Sequence, residues 1–304
     1  MAVVFRNPFI AFAITLWTLT SVLPVNAGEL EDAQAAISIG DYVTALRLLG
    51  TLADQDNPYA ERLLGIMYVK GLGVPQDYAL GMRWTRIAAD KGLADAQNEV
   101  GIFYQQGLGV ERNEAEAVKW FRVAADRGGL AVAQNNLADS YVLGLGVAQD
   151  FGEAIKWYRI AADQSSSYAE NVLGVAYEHG FYVAQDDVEA FRWYRRAANT
   201  IYERPGNTWI HSPQYNIGAM YASGRGTAQD YVRALMWFTL AIASGDTKPP
   251  SPLGIKLVDT PKYTALEQRD RLMALMTSAQ IAEAESLARA WRPHPVVTIE
   301  RSAK

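Results

Sequence analysis

Residues 96–125 read AQNEVGIFYQQGLGVERNEAEAVKWFRVAA, and this stretch predicts two helices joined by a turn that contains two glycines. The first helix ends at Gly107, which can take a positive φ without a Cβ clash. Asn113 stands before the second helix, where its side-chain oxygen can accept from free backbone N–H groups. Trp120 and Ala124 are four residues apart on one face of that second helix. The stretch is therefore predicted to be a helix hairpin.

The hairpin recurs along the chain. Tryptophans follow one another at intervals of 36, 37, 36 and 44 residues, at Trp84, Trp120, Trp157, Trp193 and Trp237. A small residue followed three places later by tyrosine keeps the same intervals, at Gly65, Gly101, Ala138, Gly174 and Gly218. Because two independent markers share even the irregular last interval, the sequence predicts an all-α repeat protein. We expect each tryptophan to fill the space between successive hairpins.

The turn and cap residues recur with the hairpin. The N-cap position of the second helix holds Asp77, Asn113, Asp150 and Asp230. The pattern A-x-x-x-L-G-x-x-Y-x-x-G-x-G-V-x-Q-D-x-x-x-A-x-x-W-x-x-x-A-A, matched closely at 71–77 and 144–150, resembles the Sel1-like repeat, a relative of the tetratricopeptide repeat. The resemblance covers about residues 41–246. It implies a right-handed α-solenoid of antiparallel helix pairs that serves as a protein-binding scaffold, and it implies no single activity.

Some repeats depart from the pattern. Ala138 replaces the glycine in the first helix of the third hairpin. Tyr182 stands where other turns have their second glycine, so the turn that contains Tyr182 must differ in backbone or carry strain. The first unit, residues 28–57, lacks the G-x-G turn and has Leu48 in place of tryptophan, which indicates an N-terminal capping unit. The long interval holds an insertion at about 200–212.

Residues 1–27 are interpreted as a secretory signal peptide. Arg6 supplies the positive charge, residues 9–23 form an apolar run, and Val25-Asn26-Ala27 is a small-residue cleavage site. The alternative is an uncleaved anchor, but the run is short against the ~20 residues of a spanning helix. We expect cleavage near Ala27, a periplasmic or secreted protein, and no stable membrane insertion after cleavage.

The C-terminal part is predicted to close the solenoid of residues 58–246. Residues 247–260 form a proline-containing linker, 261–291 a pair of capping helices and 292–304 a flexible tail. Thr260-Pro261 is expected to open the first of these helices, which runs to about Met276. Thr277 with Gln280 predicts a capping box before the last helix, whose apolar face holds Ile281, Ala284, Leu287, Ala288 and Trp291.

Composition favours binding over catalysis. The chain has 28 Lys and Arg against 33 Asp and Glu, a balance that argues against nucleic-acid binding. It has no cysteine and only three histidines, far apart in sequence. No catalytic motif is found, and the G-x-G follows a helix where a dinucleotide loop follows a strand. We therefore predict no catalytic residues, no metal site and no cofactor.

The leading candidate site is the face of the first helices, which lines the concave groove in tetratricopeptide-like solenoids. Amide and charged side chains there could hydrogen-bond an extended peptide. The predicted groove residues are Arg62, Lys70, Asn98, Gln105, Asn135, Asn171, Glu178, His179 and Tyr215. In the alternative, the asparagines are solvated or link neighbouring helices. A second candidate is the insertion, with Tyr202, Trp209 and His211, although Trp209 could instead fold back over its own repeat.

These features favour a non-enzymatic scaffold or adaptor of the cell envelope that binds another envelope protein or an extended peptide. Some periplasmic relatives inhibit sensor kinases, so the resemblance also implies a regulatory role. The alternative is an envelope enzyme or a protein that binds a cell-wall ligand such as peptidoglycan. Asp186, Asp187 and Glu189 could suggest an acidic site, but they lie at a helix start, where acidic residues are expected as caps.

Overall fold

The computed structural model describes residues 27–199, 212–246 and 263–292, and over these residues the protein forms α-helices and no strands. The predicted fold class, an all-α solenoid of antiparallel helix pairs, is confirmed. The helices are α1 Ala27–Ser38, α2 Tyr42–Asp54, α3 Pro58–Lys70, α4 Tyr78–Asp90, α5 Ala94–Gln106, α6 Glu114–Asp126, α7 Ala131–Leu143, α8 Phe151–Asp163, α9 Ser167–His179, α10 Asp187–Asn199, α11 Pro213–Ser223, α12 Tyr231–Ala243, α13 Ala265–Met273 and α14 Ser278–Ala290.

The chain divides into two compact units, with the boundary between Gly128 and Gly129. Unit 1 contains α1 to α6, and unit 2 contains α7 to α14. In each repeat hairpin we name the first helix A and the second helix B. The A helices are therefore α3 and α5 in unit 1 and α7, α9 and α11 in unit 2. The B helices that follow them are α4, α6, α8, α10 and α12.

The predicted helix ends are confirmed. Each A helix ends at a glycine in the left-handed conformation, at Gly71, Gly107, Gly144, Gly180 and Gly224. The side chains of Asp77, Asn113, Asp150 and Asp230 accept a backbone N–H from the first turn of the B helix that each precedes. Local chemistry thus sets the length of every hairpin.

The core of each hairpin is built by the residue after the tryptophan. Phe121, Tyr158, Tyr194 and Phe238 are fully buried, whereas Trp120, Trp157 and Trp193 are only partly buried. We expected each of the five tryptophans to be buried between successive hairpins. Of the five, only Trp84 and Trp237 are buried, with exposed fractions of 5% and 9%. Successive side chains on a helix point about 100° apart. When the residue after the tryptophan faces the A helix, the tryptophan itself therefore lies at the edge of the helix interface.

The C-terminal helices pack on the last B helix, α12, as expected. Ala284 of α14 is buried, and the ring of Trp291 lies edge-on to Trp237 with 5.6 Å between centroids. The capping box of Thr277 and Gln280 is confirmed. The preceding helix differs from the prediction. It begins at Ala265 behind an N-cap at Thr264, because Glu267 completes a capping box there, and it ends at Met273.

Four predicted segments lie wholly or mostly outside the described residues: the signal peptide up to Asn26, the linker, most of the insertion, including Tyr202, Trp209 and His211, and the tail from residue 293 onward. Within the described ranges, none of the helices combines the length and the hydrophobicity that crossing a membrane requires.

Candidate functional site

Two of the three asparagines predicted for the groove are buried between helices of unit 2. Asn135 is 5% exposed and donates from Nδ2 to the Ser166 hydroxyl at the N-cap of α9, at 2.8 Å. Asn171 is fully buried and accepts from Asn216 Nδ2 of α11 at 3.1 Å. Each bond therefore connects one A helix to the next. This geometry is the one described by the alternative interpretation, in which the asparagines link neighbouring helices.

Two further predicted residues are buried as well. Asn98 of α5 is 5% exposed. Tyr215 of α11 is 2% exposed and donates from its hydroxyl to the backbone oxygen of Tyr263, just before α13. Burial raises the pKa of this phenol. Tyr215 thus anchors the C-terminal helices to the last repeat.

A second buried polar row, which the sequence analysis missed, lies four residues before the small residue of each A helix. Its members are Glu61, Gln97, Gln134, Glu170 and Gln214, each less than 9% exposed. Glu61 accepts from Lys91 Nζ at 2.6 Å, and Gln97 donates to the Ala89 oxygen at 3.1 Å. The recurrence of Glu or Gln at one fixed position was the signal that could have revealed this row. The Gln97 bond connects α5 to α4 of the preceding hairpin, whereas Glu61 of α3 binds Lys91 at the end of α4, within its own hairpin.

The carboxylate of Glu170 has an unusual environment within this row. Burial raises its pKa to about 7, although Arg196 donates from Nε to its Oε1 at 3.1 Å. Its Oε2 is buried without a hydrogen-bond partner. Arg196 also donates to the Ala162 oxygen, the carbonyl equivalent to the one that Gln97 binds in unit 1. Arginine here substitutes for the missing amide.

Helices α3 and α5 of unit 1 carry accessible polar side chains. Arg62 donates from Nε and Nη2 to Glu99 Oε1, at 2.9 and 2.6 Å. Burial raises the pKa of Glu99, and Arg62 opposes this shift. Lys70 is exposed and Gln105 partly exposed. We call Arg62, Lys70, Glu99 and Gln105 the unit 1 A-face. Three of these four residues were predicted for the groove, and all four lie on the two A helices of unit 1.

The other two predicted groove residues belong to a cluster at the end of α9 in unit 2. Glu178 accepts from the Tyr194 hydroxyl at 2.6 Å and is also bound by Arg225. Burial, foremost, raises the pKa of Tyr194. His179 is exposed, and its ring stacks on Phe181 with 5.5 Å between centroids. Glu178 is therefore mainly a structural acceptor, and His179 remains accessible.

The turn after α9 confirms that Tyr182 differs from its equivalents. The second glycines of the other turns, Gly73, Gly109 and Gly226, take φ values of 65–71°. A Cβ at any of them would lie within 2.4 Å of the first residue of the second helix in the preceding hairpin. Tyr182 has φ 55°, and its ring stacks on that of Phe151, the residue that opens α8, at 4.8 Å. A ring pair therefore occupies the place of a close backbone contact.

A small apolar pocket, with a cavity volume of about 30 Å³, opens beside this ring pair. Its walls come from α7, α8, α9 and the turn, and they include Val142, Ile155, Val172, Val175, Phe151 and Tyr182. Tyr182 itself is 65% exposed. We call this feature the aromatic-turn pocket. No group of His, Asp and Glu side chains suited to a metal ion occurs in the described ranges.

Comparison with known proteins identifies the repeats. The profile of the Sel1 repeat matches residues 58–93, 94–129, 131–166, 167–199 and 214–246, which together make up more than half of the chain. The chain belongs to the Sel1 repeat family. Sel1 repeats typically form protein–protein interaction scaffolds and are generally not enzymes. The profile boundaries coincide closely with the hairpins of the structure.

Two crystal structures resemble this Sel1 repeat protein. One is a protective antigen present in uropathogenic Escherichia coli strains that displays an SLR fold, with 29% identity over 88% of this chain and a TM-score of 0.65. This chain covers 56% of that protein. The other is a Sel1 repeat protein from Oxalobacter formigenes, with 28% identity, a TM-score of 0.63, and coverage of 81% of this chain and 98% of that one. No curated protein matches the chain.

Proposed function

We propose that this Sel1 repeat protein is a non-enzymatic interaction scaffold of the cell envelope that holds an extended segment of another protein on the unit 1 A-face. The observation that carries the proposal is which of the predicted groove residues remain accessible. Asn98, Asn135 and Asn171 are buried, whereas Lys70 and Gln105 remain accessible on α3 and α5, the two helices that the Arg62–Glu99 ion pair connects.

The unit 1 A-face offers both donors and acceptors to a peptide backbone. Lys70 supplies N–H donors, and the amide of Gln105 supplies donors and an acceptor. Both Arg62 bonds go to Glu99 Oε1. In the described part of unit 1, Oε2 receives no protein hydrogen bond, so it can accept a backbone N–H from a bound segment. Because Arg62 already holds this carboxylate in place, binding loses little side-chain entropy.

The envelope location rests on residues 1–27, whose charge, apolar run and small-residue site have the order of a secretory signal. Removal of these residues would leave a chain beginning at Gly28. The similar Escherichia coli protein is described as a protective antigen, which accords with a location outside the cytoplasm. A regulatory role follows if the bound partner is a sensor protein.

Affinity purification from envelope extract tests the proposal. We would compare the tagged wild type with Lys70→Glu, which reverses a charge on the A-face. The matched control is Lys119→Glu, which reverses an exposed charge on the B helix α6 of the same unit. The proposal expects a specific partner whose capture falls at least tenfold in Lys70→Glu and stays unchanged in Lys119→Glu. Equal capture by all three proteins would refute the A-face as the binding surface.

A further inference from the structure

The two A helices of unit 1 correspond residue by residue. The Sel1 repeats at 58–93 and 94–129 have equal length, so each position of α3 corresponds to the position 36 residues later in α5. Two hydrogen bonds from Arg62 to Glu99 join these helices directly. Corresponding side chains on the face that carries these bonds are therefore neighbours across the space between α3 and α5.

Three corresponding pairs lie on this face, one at each end of the helices and one in the middle. Residues three or four positions apart share one side of a helix, and this spacing connects the members of each helix to Arg62 or to Glu99. The side chains of all three pairs are exposed or partly exposed. The pairs are Tyr59 with Asp95 in the first turn, Ile66 with Ile102 in the middle and Lys70 with Gln106 in the last turn.

The two ends of this face carry opposite charges. Burial raises the pKa of Glu99 and Arg62 opposes this shift, while Asp95 adds to it and Lys70 opposes it. Asp95 and Lys70 therefore lie within electrostatic range of the same carboxylate, one at the first turn of α5 and the other at the last turn of α3. Neither residue forms an ion pair within the described part of the chain. Each charge is thus available to a bound segment.

The length of the face matches a short extended segment. Lys70 follows Tyr59 by eleven residues, or about 16 Å along the axis of α3. In an extended chain alternate side chains point to one side, and residues i and i+4 are about 13 Å apart. Long basic and acidic side chains cover the remaining distance. Three side chains at positions i, i+2 and i+4 can therefore meet all three pairs.

Each pair favours a different kind of side chain. A carboxylate beside a tyrosine ring suits a guanidinium or ammonium group, which can bind both Asp95 and the face of Tyr59. The two isoleucines suit an aliphatic side chain, because its burial removes apolar surface of both partners from water. The ammonium group of Lys70 suits a carboxylate. The order along the helices is thus acidic, apolar and basic, and the complementary segment has the opposite charges.

We propose, on the basis of the function proposed above, that the segment held by the unit 1 A-face carries a basic, an aliphatic and an acidic side chain at alternate positions. The basic side chain lies between Tyr59 and Asp95. The aliphatic side chain packs on Ile66 and Ile102, and the acidic side chain pairs with Lys70. The partner is therefore a protein with an extended segment of this mixed charge.

Fluorescence anisotropy with labelled five-residue peptides, blocked at both termini, tests the proposal on the purified protein. The mixed peptide has arginine, serine, leucine, serine and glutamate in that order. One control peptide has glutamate at both ends, a second has arginine at both ends, and a third has alanine in place of leucine. The mixed peptide should bind saturably, and each control at least tenfold more weakly. Absence of saturable binding of the mixed peptide up to millimolar concentration would overturn the proposal.

Charge reversal in the protein should switch this preference. Asp95→Lys should weaken the mixed peptide at least tenfold and make the peptide with two glutamates the better ligand. Lys70→Glu should in the same way favour the peptide with two arginines. Asp126→Lys, which reverses an exposed charge on the B helix α6 of the same unit, is the matched control and should leave the order unchanged. A preference that switches in neither A-helix variant would refute the assignment of charges.

Ile102→Gln separates a failure of the charge assignment from a failure of the A-face as a binding surface. It removes apolar surface without changing charge, and it should weaken the mixed peptide by about fivefold or more. Suppose that the wild type binds the three charged peptides alike and Ile102→Gln weakens all of them. The A-face would then remain the binding surface, and the charge assignment would be wrong. Binding that no variant of α3 or α5 changes would refute both.

Discussion

The ring of Phe121 lies against Gly101, so closely that a Cβ at Gly101 would come within 2.5 Å of ring atom Cε1. Phe121 is fully buried, and the same arrangement recurs between Gly174 and Tyr194. The small residue of the A helix and the residue after the tryptophan of the B helix are therefore a matched pair. Their fit sets the distance between the two helices of a hairpin.

Gly101→Ala should destabilise unit 1 by about 1–3 kcal/mol, because a methyl group there overlaps the Phe121 ring and forces the helices apart. Gly50→Ala is the control. Gly50 lies inside α2 with no atom within 4 Å of an added Cβ, so this change should stabilise by about 0.5–1 kcal/mol through helix propensity. Urea unfolding followed by circular dichroism measures both. Similar midpoints for the two variants would contradict the close fit.

Phe121→Ala should cost about 3–5 kcal/mol, the usual range for a fully buried phenylalanine. Trp120→Ala should cost less, about 1–2 kcal/mol, because Trp120 is only partly buried. The Arg86 guanidinium also lies over the Trp120 ring, 4.5 Å from its centroid, in a cation–π contact at the surface. The same unfolding experiment ranks the two variants. A larger loss for Trp120→Ala would restore the tryptophan as the main core residue.

Glu170→Gln should change how stability depends on pH. Burial raises the Glu170 pKa from 4.5 to about 7 in the folded protein, so the folded state binds a proton more tightly than the unfolded state. Glu170 therefore makes its full contribution to the free energy of unfolding below pH 4.5, and this contribution is lost as the pH rises through 7. The total loss is at most roughly 3 kcal/mol. The variant lacks this loss, and glutamine already occupies the equivalent positions 97, 134 and 214.

Thermal unfolding at pH 5 and pH 8 measures this effect. The gain of Glu170→Gln over the wild type should be greater at pH 8 than at pH 5. Glu116→Gln, which changes an exposed carboxylate beside Lys119, serves as the control. An equal effect of Glu170→Gln at both pH values would show that Arg196 holds the pKa of Glu170 near its ordinary range.

The amino-terminal residues should be absent from the exported protein. Expression in a bacterial host followed by periplasmic extraction should give a chain that begins at Gly28, because Ala27 ends the small-residue cleavage site. Intact-mass measurement distinguishes this product from the full chain. Recovery of the full chain in the membrane fraction would support the uncleaved anchor instead.

The sequence was sufficient to predict the helix ends, because each rests on a local requirement. Gly107 provides a left-handed C-terminus and Asn113 an N-cap, whatever packs around them. It was not sufficient to predict which ring fills the core. The residue after the tryptophan is aromatic in four of the five repeats, at Phe121, Tyr158, Tyr194 and Phe238, but two adjacent aromatic residues do not show which of them faces the partner helix. The direction of such a side chain is set by the partner helix.

The site was predictable only in part for a similar reason. Arg62 and Lys70 remain on the surface as expected, but Asn171 is covered because α11 packs beside α9 and Asn216 reaches it. Sequence spacing places a residue on a helix face and cannot show how closely the next hairpin approaches. The aromatic-turn pocket depends on the stacking of Tyr182 with Phe151, residues 31 positions apart in sequence.

In-cell photo-cross-linking tests the central claim most directly. A photo-reactive phenylalanine analogue would replace Gln105 on the unit 1 A-face and, in the matched control, Lys119 on the outer B helix. After irradiation of intact cells, the account predicts a discrete protein adduct from position 105 and none from position 119. An adduct from position 119 with none from position 105 would contradict the assignment of the binding surface.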